Sequence, residues 1–372
     1  TIDMIKKTTQ ILLFAAVLTL GACQEKDVLS DDEQMKAIAT EFVDGVVIPT
    51  YTQLANSSNE LVEALETLRD SRTDQNVQAA CEVFLQCRSW WELSEAFLFG
   101  PASDFGIDPH IDSWPLDEDG FNTLMDNNAM IQHLEGEDGA AYAGDYLGNA
   151  LLGFHGIEFI LFEEGHAKSA ASISDKYMTY AVAVAGDLRN RCYQLEVSWA
   201  GNKAAAEHRE VVEELELNCT VNGSGQSYGD NMLRAGEPGS TYPSWSGALQ
   251  SIIYGCKTIA DEVGTSKIGK AHYGEDVTYI ESPYSHQSLR DFADNMRSVQ
   301  NVYRCGFQKF IGERNPDLNV RVEATIQRSI DVIESMPGPF VQTYAQPVFD
   351  QAVEACQAVD DILSEVINEL VY

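Results

Sequence analysis

From Met35 onward, apolar residues in this chain recur at intervals of three and four, and strict alternation is scarce. Side chains three or four apart share one face of a helix, whereas a half-buried strand needs a period of two. The pattern therefore predicts an all-α protein without a substantial sheet. Met35, Ile38 and Phe42, then Tyr51, Leu54, Leu61, Leu65 and Leu68, mark a helix over 32–70, kinked at Pro49. Ala80, Phe84, Cys87, Trp91 and Leu98 mark a second over 75–98, stopped by Gly100-Pro101. Residues 101–120 read as loop. Further helices are expected at 121–134, 140–162, 172–200, 203–217, 244–263, 286–305, 318–336 and 345–370. Residues 218–243, rich in Gly, Ser, Asn and Pro, read as a linker or long loop. Long helices with short links suggest two helical-bundle domains, here 32–217 and 244–372.

The first residues read as a processing signal. Lys6 and Lys7 precede an apolar stretch over 11–20, and Leu20-Gly21-Ala22-Cys23 has the form of a lipobox. The stretch is well short of the roughly 20 residues that a spanning helix needs, so 1–23 is expected to be a lipoprotein signal peptide. Cys23 would carry the lipid, 24–31 would be a tether, and the anchor would be the sole membrane contact. That expectation places the protein at a bacterial cell envelope, on the outer membrane or facing the periplasm. With 58 acidic against 24 basic residues the net charge is −34. Nucleic acid needs a basic footprint and is excluded as a partner; the acidic field instead attracts cations. The seven cysteines beyond Cys23 are odd in number and include no Cys-x-x-Cys pair, which speaks against a thiolate zinc site.

The sharpest chemical signal lies in Ala150–Phe162, where only His155 and Glu158 are polar. An imidazole and a carboxylate at i and i+3 share a helix face, and burying both demands pairing, hydrogen bonding or a metal. From these residues alone, a buried structural pair and a ligand site weigh about evenly. Gly153 and Gly156 lower helix propensity and allow close approach by another backbone or a ligand. Glu95 continues the seam of Phe84, Cys87 and Trp91, so a carboxylate stands at a core-facing position and its pKa should be perturbed. Ser288, Asp291, Asn295 and Ser298 form a stripe of short polar side chains beside the seam of Leu289, Phe292, Met296 and Val299. Such a stripe fits a domain interface or ligand cleft, or an ordinary wet face. Ser285, just upstream, has the alternative of a helix cap.

Several of these segments resemble one family. Trp91 to Pro101, Ile111 to Asp117 with Asp112 and Trp114, Gly153 to Glu158 in Gly-x-His-x-x-Glu form, and Glu281 to Asn295 are similar to imelysin-family segments, in the same order. The resemblance spans nearly all of 35–370. It implies two all-helical domains, a functional site near their interface, and an association with iron or haem uptake at the envelope. Matched to the family pattern, the site residues would be His155, Glu158, Glu95, Trp114, Ser285 and Asn295. Members are also classed as M75 metallopeptidases. The motif supplies two ligands at most, and Phe159 stands where a His-x-x-Glu-His motif has its second histidine; a catalytic zinc wants three protein ligands.

Three readings follow. The first is a binding lipoprotein for iron or another divalent metal, or for haem, with His155, Glu158 and Glu95 at the metal. Trp91, Asp112, Trp114, Glu281, Ser285, Asp291 and Asn295 would then line the site or the interface. The second is a metallopeptidase with Glu158 as general base. The third is a non-catalytic interaction module working with outer-membrane uptake components, in which His155 and Glu158 are structural.

Overall fold

The computed structural model describes residues 30–371. The expected signal peptide, Cys23 and all but the end of the tether lie outside the described residues.

The protein is all-helical, with one pair of two-residue strands among the described residues, Phe162–Glu163 and His166–Ala167. Helix starts follow local chemistry. Ser30 and Glu33 form a capping box at Asp31–Thr40. The Thr73, Ser174 and Asn315 side chains each accept from a backbone N–H one turn in, opening Asp74–Glu92, Asp175–Ala200 and Pro316–Ser335.

The first bundle packs Ile48–Asp70 against both Asp74–Glu92 and Asp175–Ala200, the last of which is buried without a break from Cys192 to Ala200. The second packs Trp245–Glu262, Ser288–Val302, Pro316–Ser335 and Asp350–Glu369. A connected apolar core runs through both. Ser288–Val302 crosses onto Asp74–Glu92, and Trp245–Glu262 presses on the tight turn Glu95–Phe97. Helix Asp31–Thr40, first among the described residues, packs on Trp245–Glu262 in the second bundle. Among the described residues no helix is long and apolar enough to cross a membrane.

Three expectations about elements change. The helix expected over 75–98 ends at Glu92, and Glu95–Phe97 is a separate 3₁₀ turn. The 101–120 stretch is not plain loop: it holds Pro101–Asp104, Ile107–Ile111 and the start of Glu118–Asp126. The expected 140–162 helix breaks into Gly139–Tyr146, Asn149–Leu151 and Gly153–Leu161. Gly153 is the reason for the last break. Its φ is +69°, and a Cβ there would lie 1.9 Å from the Ile111 carbonyl oxygen, so only glycine lets the two backbones meet. The 218–243 segment is ordered, with Tyr228, Asn231, Met232 and Ala235 buried.

Three helices continue into wider π segments, Glu41–Val47, Val263–Ile268 and Tyr303–Phe307. Such widenings recur at functional sites, and the second carries Lys267.

Candidate functional site

Gly153 brings the end of helix Ile107–Ile111 against the start of Gly153–Leu161, and so sets Asp112 beside His155. The imidazole is held at both nitrogens, with Nδ1 3.0 Å from Glu158 Oε2 and Nε2 3.1 Å from Asp112 Oδ1. Burial alone would lower the pKa of His155, but the hydrogen bonds to Asp112 and Glu158 outweigh it and hold the value up at about 9. The other oxygen of Glu158 accepts from Tyr284 N at 3.1 Å, Ser285 N at 2.8 Å and Ser285 Oγ at 2.7 Å. The loop supplying them is tied to the first bundle, where Gly165 N donates to the Tyr284 carbonyl at 2.9 Å. Ser285 is therefore a partner of Glu158, and no side-chain cap bond opens the helix that follows.

Asp112 is the hinge between this side and an ion-pair cluster. Its Oδ2 accepts from Trp91 Nε1 at 2.6 Å, and its Oδ1 also takes Arg88 Nη1. Burial opposes its ionisation, yet Arg88 and then His155 hold its pKa well below the usual carboxylate range. Arg88 is 1% exposed and lies over the Phe154 ring at 5.0 Å. Its Nη2 reaches Glu281 at 2.6 Å and Glu92 at 2.5 Å, and its Nε lies 3.7 Å from Asp291. Burial would lower the pKa of this guanidinium, but Asp112 and three further carboxylates raise it.

Lys267 is the second buried cation. Its Nζ lies 3.2 Å from Glu281, 3.5 Å from Glu95 and 3.9 Å from Glu92. These separations are loose beside the roughly 2.7–2.9 Å of a good charged hydrogen bond. Burial raises the carboxyls of Glu92 and Glu95 well above their ordinary values, with Arg88 and Lys267 offsetting only part of it. Asp291 rises to about 7, again through burial.

Trp91, Asp112, Glu281, Ser285, Asp291, Asn295, His155, Glu158 and Glu95 are thus brought into one buried centre at the junction of the bundles. The polar stripe faces it. Asp291 accepts from Ser282 Oγ at 2.5 Å, Asn295 Nδ2 donates to Glu92 Oε2 at 2.5 Å, and Ser288 Oγ donates to the Glu281 carbonyl at 2.6 Å. Trp114 forms a half-buried wall, 5.9 Å from the His155 ring and 5.3 Å from Tyr279, with Lys267 over it at 5.2 Å. Glu158 and Glu95 lie on opposite sides of the centre: the first is committed to His155 and the loop, the second faces Lys267.

Arg88, Glu92 and Lys267 were missed from the sequence. Arg88 had a signal, since it stands four residues after Phe84 and three before Trp91, inside the apolar stripe. Lys267 had a fainter one, four residues after buried Val263.

Two sets of three ligand atoms lie within 4.8 Å of one another, Asp112–His155–Glu281 and Glu92–Glu95–Asp112. The chemistry of the set suits a hard or borderline cation, with oxygens and one imidazole nitrogen. Glu158 on His155 Nδ1 stands where an outer carboxylate would orient the imidazole if His155 held a metal. Three buried oxygens here, Glu92 Oε1, Glu281 Oε2 and Asn295 Oδ1, accept no hydrogen bond, although the first two lie beside cations.

This fold and centre define a class: an all-helical protein with a charged site sealed where two bundles meet. The chain belongs to the imelysin family, whose model, Imelysin (Peptidase M75), matches residues 47–366. It is 27% identical over 381 residues to the iron-regulated protein A of Synechococcus elongatus, across 99% of this chain and 94% of the relative. The crystal structure described as an iron-regulated protein A precursor from Parabacteroides distasonis matches with a TM-score of 0.78 at 24% identity. It covers 93% of this chain and 97% of its own. An imelysin-like protein from Psychrobacter arcticum matches at a TM-score of 0.61 and 14% identity, covering 92% and 94%.

Proposed function

We propose that this protein is an envelope lipoprotein, tethered through Cys23, that binds iron or a similar divalent cation in the buried centre between its bundles. One observation carries the reading. Six buried carboxylates, Glu92, Glu95, Asp112, Glu158, Glu281 and Asp291, face two buried fixed cations, Arg88 and Lys267, and one imidazole. With every group charged and His155 protonated, three negative charges stay unmatched. Buried charge of that size is costly unless protons or a metal ion neutralise it. The raised carboxyls of Glu92, Glu95 and Asp291 are the proton-bound answer; a divalent cation is the other, and it would release those protons as it binds. Similarity to an iron-regulated protein favours iron among the candidates. His155, Asp112, Glu281, Glu92 and Glu95 are the residues that would hold the ion, and Glu158 would orient His155.

The test is calorimetric titration of purified residues 24–372 with Fe²⁺, Mn²⁺ and Zn²⁺ in two weakly metal-binding buffers of different ionisation enthalpy. Stoichiometric binding with proton release, lost in folded His155→Ala, is the expected result. Absence of binding by the folded wild type to all three ions would refute the reading.

A further inference from the structure

A surface cleft of about 840 Å³ leads toward the buried centre. It is bounded by the turn after helix Asp74–Glu92, the short helices that follow, the ordered 218–243 segment and helix Trp245–Glu262. Asp104, Asp108, Tyr242, Tyr254 and Thr258 line it, and Glu95 belongs to the same wall. Glu95 is 7% exposed. Among the described residues no hydrogen-bond donor reaches its carboxylate, whose one ion-pair partner there is Lys267 at 3.5 Å. The backbone of the next residue, Ala96, is gripped from two sides. Ala96 N donates to Ser298 Oγ at 3.0 Å, and a Cβ on Gly255 would lie 2.4 Å from the Ala96 carbonyl oxygen. Glu95 is therefore a fixed carboxylate, nine-tenths buried, that borders the cleft on one side and Glu92 and Asp112 on the other.

The opposite side of the centre is closed. Glu158 is capped by the Tyr284–Ser285 backbone, the Tyr284 ring packs on Phe159 at 5.1 Å, and its hydroxyl donates to Glu118 at 2.7 Å. An ion arriving there would have to break several hydrogen bonds. On the cleft side it would meet carboxylates in succession: Asp104 and Asp108 outside, Glu95 at the base, then Glu92, whose Oε1 is buried without a hydrogen bond.

We propose that this cleft is the entrance by which a divalent cation reaches the centre, with Asp108 steering it and Glu95 as its first inner ligand. The proposal rests on the metal-binding reading and adds a route and an order of contact. A focusing acidic cleft raises the association rate of a cation and does so less as salt rises.

The test is stopped-flow association of Mn²⁺ and Fe²⁺ with the wild type, Asp108→Asn, Thr258→Trp and Glu95→Gln, at low and high salt. Thr258 is exposed on the cleft wall, so the indole obstructs the mouth without entering the core. Expected are a several-fold slower association for Asp108→Asn that narrows at high salt, and roughly tenfold slower association and dissociation for Thr258→Trp at unchanged affinity. Glu95→Gln should lose roughly tenfold in affinity. Wild-type rates in both cleft variants, with metal binding intact, would leave the binding reading standing and overturn the entrance. A wild type that binds neither ion would overturn both.

Discussion

The centre has two sides that solve the burial of charge differently. On the His155–Glu158 side each nitrogen of His155 and each oxygen of Glu158 has a partner at 2.7–3.1 Å, and three donors from one loop converge on a single carboxylate oxygen. On the Lys267 side an ammonium is shared by three carboxylates at 3.2–3.9 Å, and burial pushes the carboxyls of Glu92 and Glu95 well above their ordinary values. A fully satisfied network rigidifies, whereas a partly satisfied one keeps a demand for another charge. The motif that stands out in the sequence is thus the fully satisfied frame, and under the proposed reading the demand for a cation lies mostly across the centre from it.

Arg88 joins the two sides, so removing it should have the largest effect. Arg88→Met leaves Asp112, Glu281, Glu92 and Asp291 without their shared cation, and about 3–5 kcal/mol of stability should be lost in denaturant unfolding. A loss under 1 kcal/mol would mean that the acids are already neutral and the comparison is miscast.

Next comes the frame. Glu158→Gln keeps the shape but exchanges a carboxylate for an amide before three donors and an imidazole. It should cost about 1–3 kcal/mol, with metal affinity falling only as far as His155 is misoriented. An equal and total loss of binding at unchanged stability would make Glu158 a direct ligand and erase the distinction between the sides.

Lys267→Met probes the loose side with an opposite sign. Without the resident ammonium a divalent cation faces less repulsion, so metal affinity should rise roughly tenfold or more, while the metal-free protein melts lower. Weaker binding in a folded Lys267→Met would show that the ammonium helps to build the site.

A further expectation concerns pH. A histidine raised from 6.5 to about 9 on folding contributes stability that is complete below its unfolded value and is lost as pH rises through 9. Asp291, raised from 3.8 to about 7, also makes stability fall as pH climbs through that interval. Metal-free unfolding free energy should therefore decline between pH 5 and pH 9, and His155→Gln should flatten the part above pH 6.5. Saturating divalent metal should flatten the rest if the ion replaces the protons.

His155, Glu158 and Glu95 were legible because each interrupts an apolar stripe, and burial without a partner cannot stand. The partners were not legible in the same way. Arg88 and Lys267 read as ordinary basic residues until Ser288–Val302 and the Val263–Ile268 π segment are laid across the first bundle. Glu95 was correctly placed in the core, yet for an incomplete reason: the helix that implied its direction ends at Glu92, and a 3₁₀ turn carries the residue instead. The break at Gly153 was hidden because periodicity reports which face is buried and is blind to how closely two backbones approach. The all-helical class was plain from the start, since a three-four seam recurs in every long segment.

Helix Asp31–Thr40 gives the molecule a mechanical asymmetry. It packs on Trp245–Glu262, Lys36 lies 5.8 Å from the Trp245 ring, and Arg314 pairs with Asp31. A pull applied at residue 30 therefore loads the second bundle first, along the same helix that runs on into the Lys267 segment. Gly153 and His155 belong to the other bundle, which the same chain enters directly through Glu41–Val47 and Ile48–Asp70. Traction at residue 30 would therefore be divided between the two walls of the centre, one reached by helix packing and the other through the backbone itself.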